Sequence, residues 1–215
     1  TVERSNLQRQ VIHADSDVGT PKVDSAAAFI NDLNPDVTVE TYETRLSKAN
    51  AEDIIAGGEY DLVVDASDNF PTRYLVNDVC RLAGVPISHG AIYKFEGQVT
   101  TLVPEGPCYR CLFPEAPEPG TVPDCATTGV LGVLPGTVGC LQATEAVKLL
   151  LNKGESLVGT MLCYDAMDLS VERVPYQPRD DCPVCGDDPV DSLEGIEYSG
   201  DCQVGRVDSD QATSR

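Results

Sequence analysis

Two cysteine pairs in this 215-residue chain have the spacing of metal ligands. Two residues separate Cys108 from Cys111, and two separate Cys182 from Cys185, with Pro or Gly beside each pair. Four thiolates about 2.3 Å from one ion form a closed tetrahedral zinc site. A redox dithiol would explain one pair but not two. The sequence therefore predicts a four-cysteine Zn²⁺ site that ties a central loop to the C-terminal end of the folded part.

The remaining cysteines divide into one candidate for chemistry and four structural residues. Cys125 follows Pro123 and precedes a run of glycines and a predicted helix, a position that favours the thiolate, although adjacent Asp124 opposes it. No histidine lies close in sequence, so a structural thiol and a nucleophile both remain open. By default, buried thiols or, for the last of them, an exposed tail thiol are expected at Cys80, Cys140, Cys163 and Cys202.

Asp68 lies near the end of the stretch YDLVVDASDN, which runs from Tyr60 to Asn69 and contains a predicted buried strand. Ligands of open α/β sheets bind beyond the carboxyl ends of the strands, so Asp68 could hold a metal bound to phosphate. Alternatively, it caps the helix that begins near Pro71, because Asp before an early helical Pro is a common helix start. The stretch alone leaves both hypotheses open.

Polar donors near the start of the chain suit phosphate oxygens. Asn6, Arg9 and Lys22 are such donors, although each taken singly is more often a solvated surface residue. Lys22 lies in the first turn of the helix predicted after Thr20 and Pro21. Because a cation there opposes the helix dipole, Lys22 indicates a bound anion.

The order of predicted elements indicates an α/β fold. Helices are predicted from Pro21 to before Asn34, over 49–56, over 71–82 and over 137–151, and strands over 36–43, 60–65, 85–91, 98–103, 160–165 and 169–176, with a possible short strand over 196–198. This order favours a doubly wound, Rossmann-like, mostly parallel sheet with an antiparallel C-terminal portion and helices on both faces. We expect one domain over residues 1–186 and a flexible acidic tail over 187–215. The Gly-rich turn that normally opens such a sheet is missing before Thr1, so an N-terminal segment is expected to be absent.

Charge and hydropathy exclude several classes of function. With 35 acidic and 15 basic residues, the net charge is −20, so a nucleic-acid backbone is an unsuitable partner. Acidic residues spread through the chain favour a protein that works in concentrated salt over an ordinary acidic protein at low salt. No apolar run reaches the roughly 18 residues of a membrane span, and no signal peptide is recognisable, so we expect a cytoplasmic protein.

Eight short motifs together resemble one family of enzymes. They are SNLQRQ at 5–10, GTPK at 19–22, DASDN at 65–69, GQVT at 97–100, PCYRC at 107–111, GCLQATEAVK at 139–148, YDA at 164–166 and CPVCG at 182–186. In this order they resemble the ThiF/MoeB/HesA family, adenylating enzymes related to ubiquitin-activating enzymes. The resemblance covers nearly all of residues 2–186 and implies a doubly wound sheet and a homodimer.

The resemblance also implies an activity. ATP with Mg²⁺ would adenylate the C-terminal Gly-Gly carboxylate of a ubiquitin-like sulfur carrier, for molybdopterin or thiamine synthesis, tRNA thiolation or protein conjugation. No sulfurtransferase domain follows CPVCG, so sulfur would come from a separate sulfurtransferase or cysteine desulfurase. The acidic composition is similar to that of salt-loving archaeal members.

The family's site residues carry over by motif. The phosphates and ribose of ATP would be bound by Ser5, Asn6, Leu7, Gln8, Arg9 and Lys22. Asp68 would hold Mg²⁺, and Asn69 would complete the nucleotide pocket. Arg9 and Asp68 would be catalytic, together with Cys125, which stands where relatives carry a cysteine that can take the acyl group.

Departures from the family keep a second hypothesis open. The Gly-rich ATP turn and an N-terminal arginine that reaches the partner's site are absent, which puts ATP binding by the chain as printed in doubt. The alternative is a catalytically impaired, zinc-stabilised scaffold that binds the carrier. A nicotinamide-dependent dehydrogenase is disfavoured, because the sequence offers no hydride-transfer constellation.

Overall fold

Helices and strands are interspersed along the described part of the chain. The computed structural model describes residues 1–117 and 129–198. Its helices are α1 (Lys22–Leu33), α2 (Ala51–Ile55), α3 (Phe70–Ala83), α4 (Tyr109–Leu112) and α5 (Leu134–Leu151), and short 3₁₀ helices lie at Arg4–Asn6 and Asp15–Asp17. Its strands are β1 (Val63–Asp65), β2 (Ile87–Tyr93), β3 (Glu96–Leu102), β4 (Thr160–Asp165) and β5 (Ser170–Pro175).

The five strands form one mixed sheet in the order β1-β2-β3-β4-β5. β1 and β2 are parallel, whereas the other three pairs are antiparallel. The Rossmann-like α/β class and the antiparallel C-terminal portion are confirmed, but within the described residues the sheet is not mostly parallel. The reason is the link between β2 and β3, Lys94 and Phe95, which is long enough for a hairpin but far too short for the helical crossover that parallel strands require.

Side chains of β2 alternate between two cores on opposite faces of the sheet. Ile87 packs in a cluster with residues of α2 and α3, and His89 on the same face lies against Tyr109. On the other face the Ser88 hydroxyl donates to the α5 carbonyl of Gln142. A second cluster on this face joins β3 to α5 through Val99, Leu134 and Val138. This period-two alternation places helices on both faces of the sheet.

Local sequence explains both ends of α3. Asn69 accepts the backbone N–H of Thr72 at 2.9 Å, and Pro71 occupies the first turn, where its missing N–H costs nothing. Gly84 ends the helix in the left-handed region, with a φ of 72°. The buried face of α3 includes Tyr74, Leu75, Val76 and Val79. Full burial of such side chains contributes about 1.5–3 kcal/mol each, so this face anchors the helix to the sheet.

An acidic residue of α5 lies inside the molecule. Glu145 is buried and accepts hydrogen bonds from the Thr101 hydroxyl at 2.8 Å and the Leu157 amide at 2.7 Å. It also pairs with Lys148, one turn later. The sequence of the helix predicted over 137–151 favours a Glu145–Lys148 pair on its outer, solvent-facing side. That prediction is wrong for Glu145, which is buried. The buried carboxylate is compensated by these three partners and joins α5 to β3.

Two further predictions differ from the structure. Residues 36–43 form no strand, because none of the described strands pairs with them, and an unpaired strand leaves its backbone groups unsatisfied. Residues 196–198 are also not a strand. The predicted tail nevertheless begins with packed residues, since Leu193 is buried in the α2–α3 core and Tyr198 packs against it. Across the described ranges, no helix has both the length and the apolar character needed to span a membrane.

Candidate functional site

The four cysteine sulfurs predicted to bind a metal lie together. They are within 4.8 Å of one another, and the separation is 3.5 Å between Cys108 and Cys182 and 3.2 Å between Cys111 and Cys185. Tetrahedral bonds of about 2.3 Å place sulfurs about 3.8 Å apart, so the cluster has the dimensions of a single metal site. The structure therefore brings the two distant pairs together as one candidate metal centre.

Tight backbone turns aim the sulfurs at one point. The Cys111 amide donates to the Cys108 carbonyl at 3.0 Å, and the Gly186 amide donates to the Cys182 carbonyl at 2.9 Å. A Cβ on Gly186 would lie 2.6 Å from that Cys182 carbonyl oxygen and would also clash with the Asp180 carbonyl. Glycine in the CPVCG motif is thus required by a close backbone approach.

The thiols of the cluster are unequal. The hydrogen bond from Cys108 lowers the pKa of Cys182 to about 4, with help from the backbone N–H groups of Val184 and Cys185. The same hydrogen bond and burial raise the pKa of Cys108. Burial, followed by the hydrogen bond with Cys111, raises the pKa of Cys185 to about 12. One thiolate is thus favoured over its neighbours, as expected where several like charges compete for one small volume.

A buried ion pair connects the candidate metal centre to α3. Arg110, between the first two cysteines, donates two hydrogen bonds to Asp78 at 2.8 and 2.7 Å. Tyr198 donates to the same carboxylate at 2.8 Å. Asn77 donates to Asp78 and accepts the Tyr109 amide at 2.8 Å. The first cysteine loop is therefore fixed on α3 independently of any metal.

At the carboxyl end of β1, Asp68 and Asn69 have different surroundings. Asn69 caps α3 through Thr72, whereas the Asp68 side chain is exposed. Asp68 Oδ1 accepts a hydrogen bond from Asn69 Nδ2 at 3.3 Å. The capping hypothesis for Asp68 is wrong, because Asn69 fills that role. The Asp68 carboxylate remains available to a ligand at this edge of the sheet.

The turn before Asp68 is held from several sides. Asp65 Oδ1 accepts the Ser67 amide at 3.0 Å, and the Arg73 guanidinium donates twice to the Ser67 carbonyl, at 3.2 and 2.9 Å. The other Asp65 oxygen pairs with His89 Nδ1 at 2.8 Å. Burial raises the pKa of Asp65, but the hydrogen bond and charge of His89 outweigh it, so the pKa lies below its ordinary value. Gln142 donates to the Asp65 carbonyl at 2.8 Å.

The SNLQRQ segment reaches the same edge of the sheet through a chain of contacts. Gln8 lies so close to Gly132 that a Cβ there would be 2.6 Å from the Gln8 carbonyl oxygen. The neighbouring Leu131 amide donates to the Lys94 carbonyl at 3.0 Å, just beyond the end of β2. Since β2 is parallel to β1 and extends past it, residues 5–10 and Asp68 lie towards the same end of the sheet.

The predicted phosphate donors have few partners of their own. Arg9 Nη1 donates to the Ser5 carbonyl at 3.3 Å, a long and weak contact. Lys22 is half-buried at the start of α1, and in the described part of the chain it makes no hydrogen bond or ion pair. Ser5 and Asn6 lie in the first 3₁₀ helix, and Leu7 is its C-cap. Among the described residues, the basic groups of Arg9 and Lys22 are therefore free to bind an anion.

Two buried polar atoms lack a hydrogen-bond partner among the described residues, and both lie in the predicted nucleotide motifs. They are Gln10 Oε1, in SNLQRQ, and Ser67 Oγ, in DASDN. Buried polar groups are nearly always paired, and exceptions concentrate where a ligand or rearrangement completes the pairing. The two motifs are thus the places where the described residues leave polar groups unsatisfied.

The other predicted cysteines have different outcomes: one is buried as predicted, one is half-buried, one is exposed against the prediction, and two lie outside the described residues. Cys125 and Cys202 lie outside the described residues. Cys80 is fully buried, as expected, and Cys163 is half-buried, but Cys140 is exposed. Sequence reasoning missed the Asp65–His89 pair. The available signal was a histidine within a strand of otherwise apolar and small residues, ISHGA.

Family comparison decides the relationship that these motifs suggest. The model of the ThiF family matches residues 1–184. The chain belongs to the ThiF family. A Haloferax volcanii relative, "SAMP-activating enzyme E1", is 70% identical over 203 residues, which are 94% of this chain and 74% of the relative.

Other ThiF-family relatives and solved structures agree. The Thermus thermophilus "Sulfur carrier protein adenylyltransferase" is 52% identical over 94% of this chain and 75% of its own length. "Adenylyltransferase and sulfurtransferase MOCS3" of Sus scrofa is 45% identical over 96% of this chain, which spans only 45% of that protein. A crystal structure of E. coli MccB superimposes with a TM-score of 0.74 at 20% identity, over 86% of this chain and 57% of MccB. This last likeness concerns the fold alone.

Proposed function

We propose that this ThiF-family chain is an adenylyltransferase that uses ATP to activate the C-terminal Gly-Gly carboxylate of a ubiquitin-like sulfur carrier. The observation that carries the proposal is the exposed Asp68 carboxylate at the carboxyl end of β1, released from helix capping by Asn69. The names of the relatives at 70% and 52% identity, an activating enzyme and a sulfur carrier adenylyltransferase, support the same activity.

The proposed reaction needs charge neutralisation more than covalent participation by the protein. A carboxylate oxygen of the carrier attacks the α-phosphorus of ATP, the bond to the bridging oxygen breaks, and pyrophosphate leaves with both electrons of that bond. Arg9 and Lys22 would offset the charge of the phosphates. Asp68 would hold Mg²⁺, which when bound would neutralise phosphate charge and orient the leaving group. Ser5 to Gln8 would contact the ribose and phosphates, with Asn69 beside them.

The residues present suit ATP and Mg²⁺. A carboxylate oxygen is the type of ligand that Mg²⁺ prefers, and one or two carboxylates with phosphate oxygens are its usual set. Lys22, in the GTPK motif, has no competing partner among the described residues, and the Gln10 and Ser67 oxygens that these residues leave unpaired lie in the SNLQRQ and DASDN motifs. An acidic chain that leaves such a cation without a partner among its described residues is suited to a polyphosphate ligand.

We also assign the four-cysteine centre to Zn²⁺ with a structural role. Four sulfur ligands leave no open position for a substrate, which is the pattern of structural zinc sites. Bound zinc would join the loop after β3 to the segment after β5. A zinc site with four thiolate ligands also agrees with a reducing compartment such as the cytoplasm.

Further parts of the proposal concern partners. Cys125 would accept the acyl group from the adenylate, releasing AMP, and sulfur would come from a separate sulfurtransferase or cysteine desulfurase. Exposed apolar side chains at the end of α5, Val147, Leu150 and Leu151, would be covered in a homodimer. The activated carrier would serve molybdopterin or thiamine synthesis, tRNA thiolation or protein conjugation.

ATP–pyrophosphate exchange with a Gly-Gly-ending carrier, in concentrated salt, tests the proposal. We expect exchange that depends on the carrier and Mg²⁺, and no exchange with a carrier that lacks the two glycines. The alternative is a zinc-stabilised scaffold that binds the carrier without catalysis. It predicts carrier binding, measured by calorimetry, without exchange, and that result would overturn the enzymatic proposal.

A further inference from the structure

Asp65 and His89 form a buried pair below the turn that carries Asp68. His89 Nδ1 lies 2.8 Å from Asp65 Oδ2, and the two residues are 1% and 6% exposed. The other carboxylate oxygen of Asp65 accepts the Ser67 amide at 3.0 Å. The Asp65 carboxylate therefore links His89, in the core on β2, to the backbone of Ser67, the residue before Asp68.

Stability alone does not account for this pair. Removing two ionisable groups from water costs several kcal/mol, and replacing such a pair by apolar side chains is often neutral or stabilising. Pairs of this kind are retained where they fix a geometry that apolar packing leaves undetermined. Here the geometry is that of the Ser67 amide, because an apolar residue at position 65 offers it no acceptor.

The pair has a single orientation because its surroundings fix both members. Asp65 and His89 are directly opposite in the parallel β1–β2 ladder. The His89 ring packs edge-on against Tyr109, with ring centroids 5.0 Å apart and planes at 61°. Gln142 Nε2 donates to the carbonyls of Asp65 and Ser88, at 2.8 and 3.1 Å. The imidazole can thus hold only one of the two Asp65 oxygens, and the other is left for Ser67.

We propose that His89 is a positioning residue for Asp68: by holding one oxygen of Asp65, it keeps the other as a fixed acceptor for the Ser67 amide and so sets the direction of the Asp68 carboxylate. This proposal rests on the proposed role of Asp68 in binding Mg²⁺ with ATP. Without the imidazole N–H, Asp65 Oδ2 loses its partner, the carboxylate rotates or takes a proton, and the Ser67 turn loosens. Asp68 then samples more directions, and Mg²⁺ with ATP binds more weakly.

Three substitutions separate the hydrogen bond from packing. His89→Leu removes the donor, whereas His89→Asn keeps an N–H close to the position of Nδ1. His89→Gln has similar volume but carries its amide one bond farther, so it also fails to reach Asp65 and serves as the second test if His89→Leu does not fold. Thr100→Val is the matched control. Thr100 of β3 pairs with His89 of β2 and is fully buried. The substitution removes one hydroxyl, which hydrogen-bonds to the carbonyls of Leu157 and Thr160 and to the hydroxyl of Tyr176.

The first measurement is the Mg²⁺ dependence of ATP–pyrophosphate exchange at saturating carrier. Loss of a group that orients a metal ligand typically costs 10–100-fold in metal affinity, so we expect His89→Leu or His89→Gln to raise half-saturating Mg²⁺ by at least about tenfold. By the same reasoning, half-saturating Mg²⁺ in His89→Asn should be within about threefold of the wild-type value. Thr100→Val should leave half-saturating Mg²⁺ unchanged. An unchanged value in His89→Leu or His89→Gln, or an equal shift in Thr100→Val, would overturn the proposal.

The second measurement does not depend on activity. Hydrogen exchange of the Ser67 amide reports its bond to Asp65 directly. We expect faster exchange in His89→Leu or His89→Gln than in wild type, with amides of α5 unaffected, and wild-type protection in His89→Asn. Equal Ser67 protection in all variants would refute the positioning role. Absent exchange activity in the wild-type protein would instead refute the proposed function, so the two failures are distinguishable.

Discussion

Asn69 Oδ1 accepts the Thr72 amide at 2.9 Å, and this bond leaves the preceding side chain, that of Asp68, outside the cap of α3. Within the described residues, the hydrogen bond of Asp68 is a long one, 3.3 Å, to Asn69 Nδ2. Two polar residues adjacent in sequence therefore have separable roles. Asn69 stabilises a helix, and the carboxylate of Asp68 faces solvent where a nucleotide is proposed to bind.

Substitutions of the two residues should differ in their effect on stability. Asn69→Ala removes an N-cap and should lower the free energy of unfolding by about 1 kcal/mol. Asp68→Ala should leave that free energy unchanged but reduce ATP–pyrophosphate exchange at least about 100-fold, because bound metal ions contribute several kcal/mol to such reactions. Urea denaturation and the exchange assay provide the two numbers. Retained exchange in Asp68→Ala would exclude the magnesium role.

The proposed acyl acceptor, Cys125, can be tested without knowledge of its surroundings. Cys125→Ser should preserve ATP–pyrophosphate exchange, because adenylation precedes transfer to the thiol, but it should abolish a covalent adduct with the carrier. Mass spectrometry of the intact protein after incubation with ATP and carrier detects the adduct. Cys140→Ser is the control, since Cys140 is exposed and should change neither measurement. An undiminished adduct in Cys125→Ser would remove this residue from the mechanism.

Metal content tests the four-cysteine centre. Elemental analysis should find about one zinc per chain, as a closed four-thiolate site requires. Cys182→Ser should lower both the zinc content and the thermal midpoint, because binding of structural zinc contributes directly to folding free energy. Cys163→Ser, outside the cluster, should alter neither. Zinc far below one per chain in wild type would refute the assignment.

The buried ion pair between Arg110 and Asp78 should contribute strongly to stability. Arg110→Met leaves the fully buried Asp78 carboxylate without its main partner, and such a loss typically costs about 3–5 kcal/mol. Arg4 forms a matched pair with Asp15 on the open surface, so Arg4→Ala should have little effect on unfolding in urea. Equal effects of the two substitutions would show that burial does not decide the strength of the Asp78 pair.

Local rules predicted most helices but not the direction of the strands. α3 was predicted over 71–82 and extends over Phe70–Ala83, because its Pro and Gly act locally at its ends. Residues 36–43 alternate like a strand, yet they remain unpaired among the described residues, because strand formation depends on a neighbour that the local sequence does not supply. The sheet contains both parallel and antiparallel pairs for a similar reason. The direction of each strand depends on the length and path of the connection that precedes it.

The available chemistry can be read from the amino-acid sequence: two CxxC pairs, an aspartate at a strand end and basic groups in two motifs of the ThiF family. Residue type and short spacing are properties of the chain before it folds. The folded chain was needed to show that the sulfurs of Cys108 and Cys182, 74 residues apart in sequence, lie 3.5 Å from each other. It was also needed to show that Asn69 caps α3 and that Asp65 pairs with His89. These pairings join distant or competing groups, and they are fixed by packing of the whole sheet and its helices.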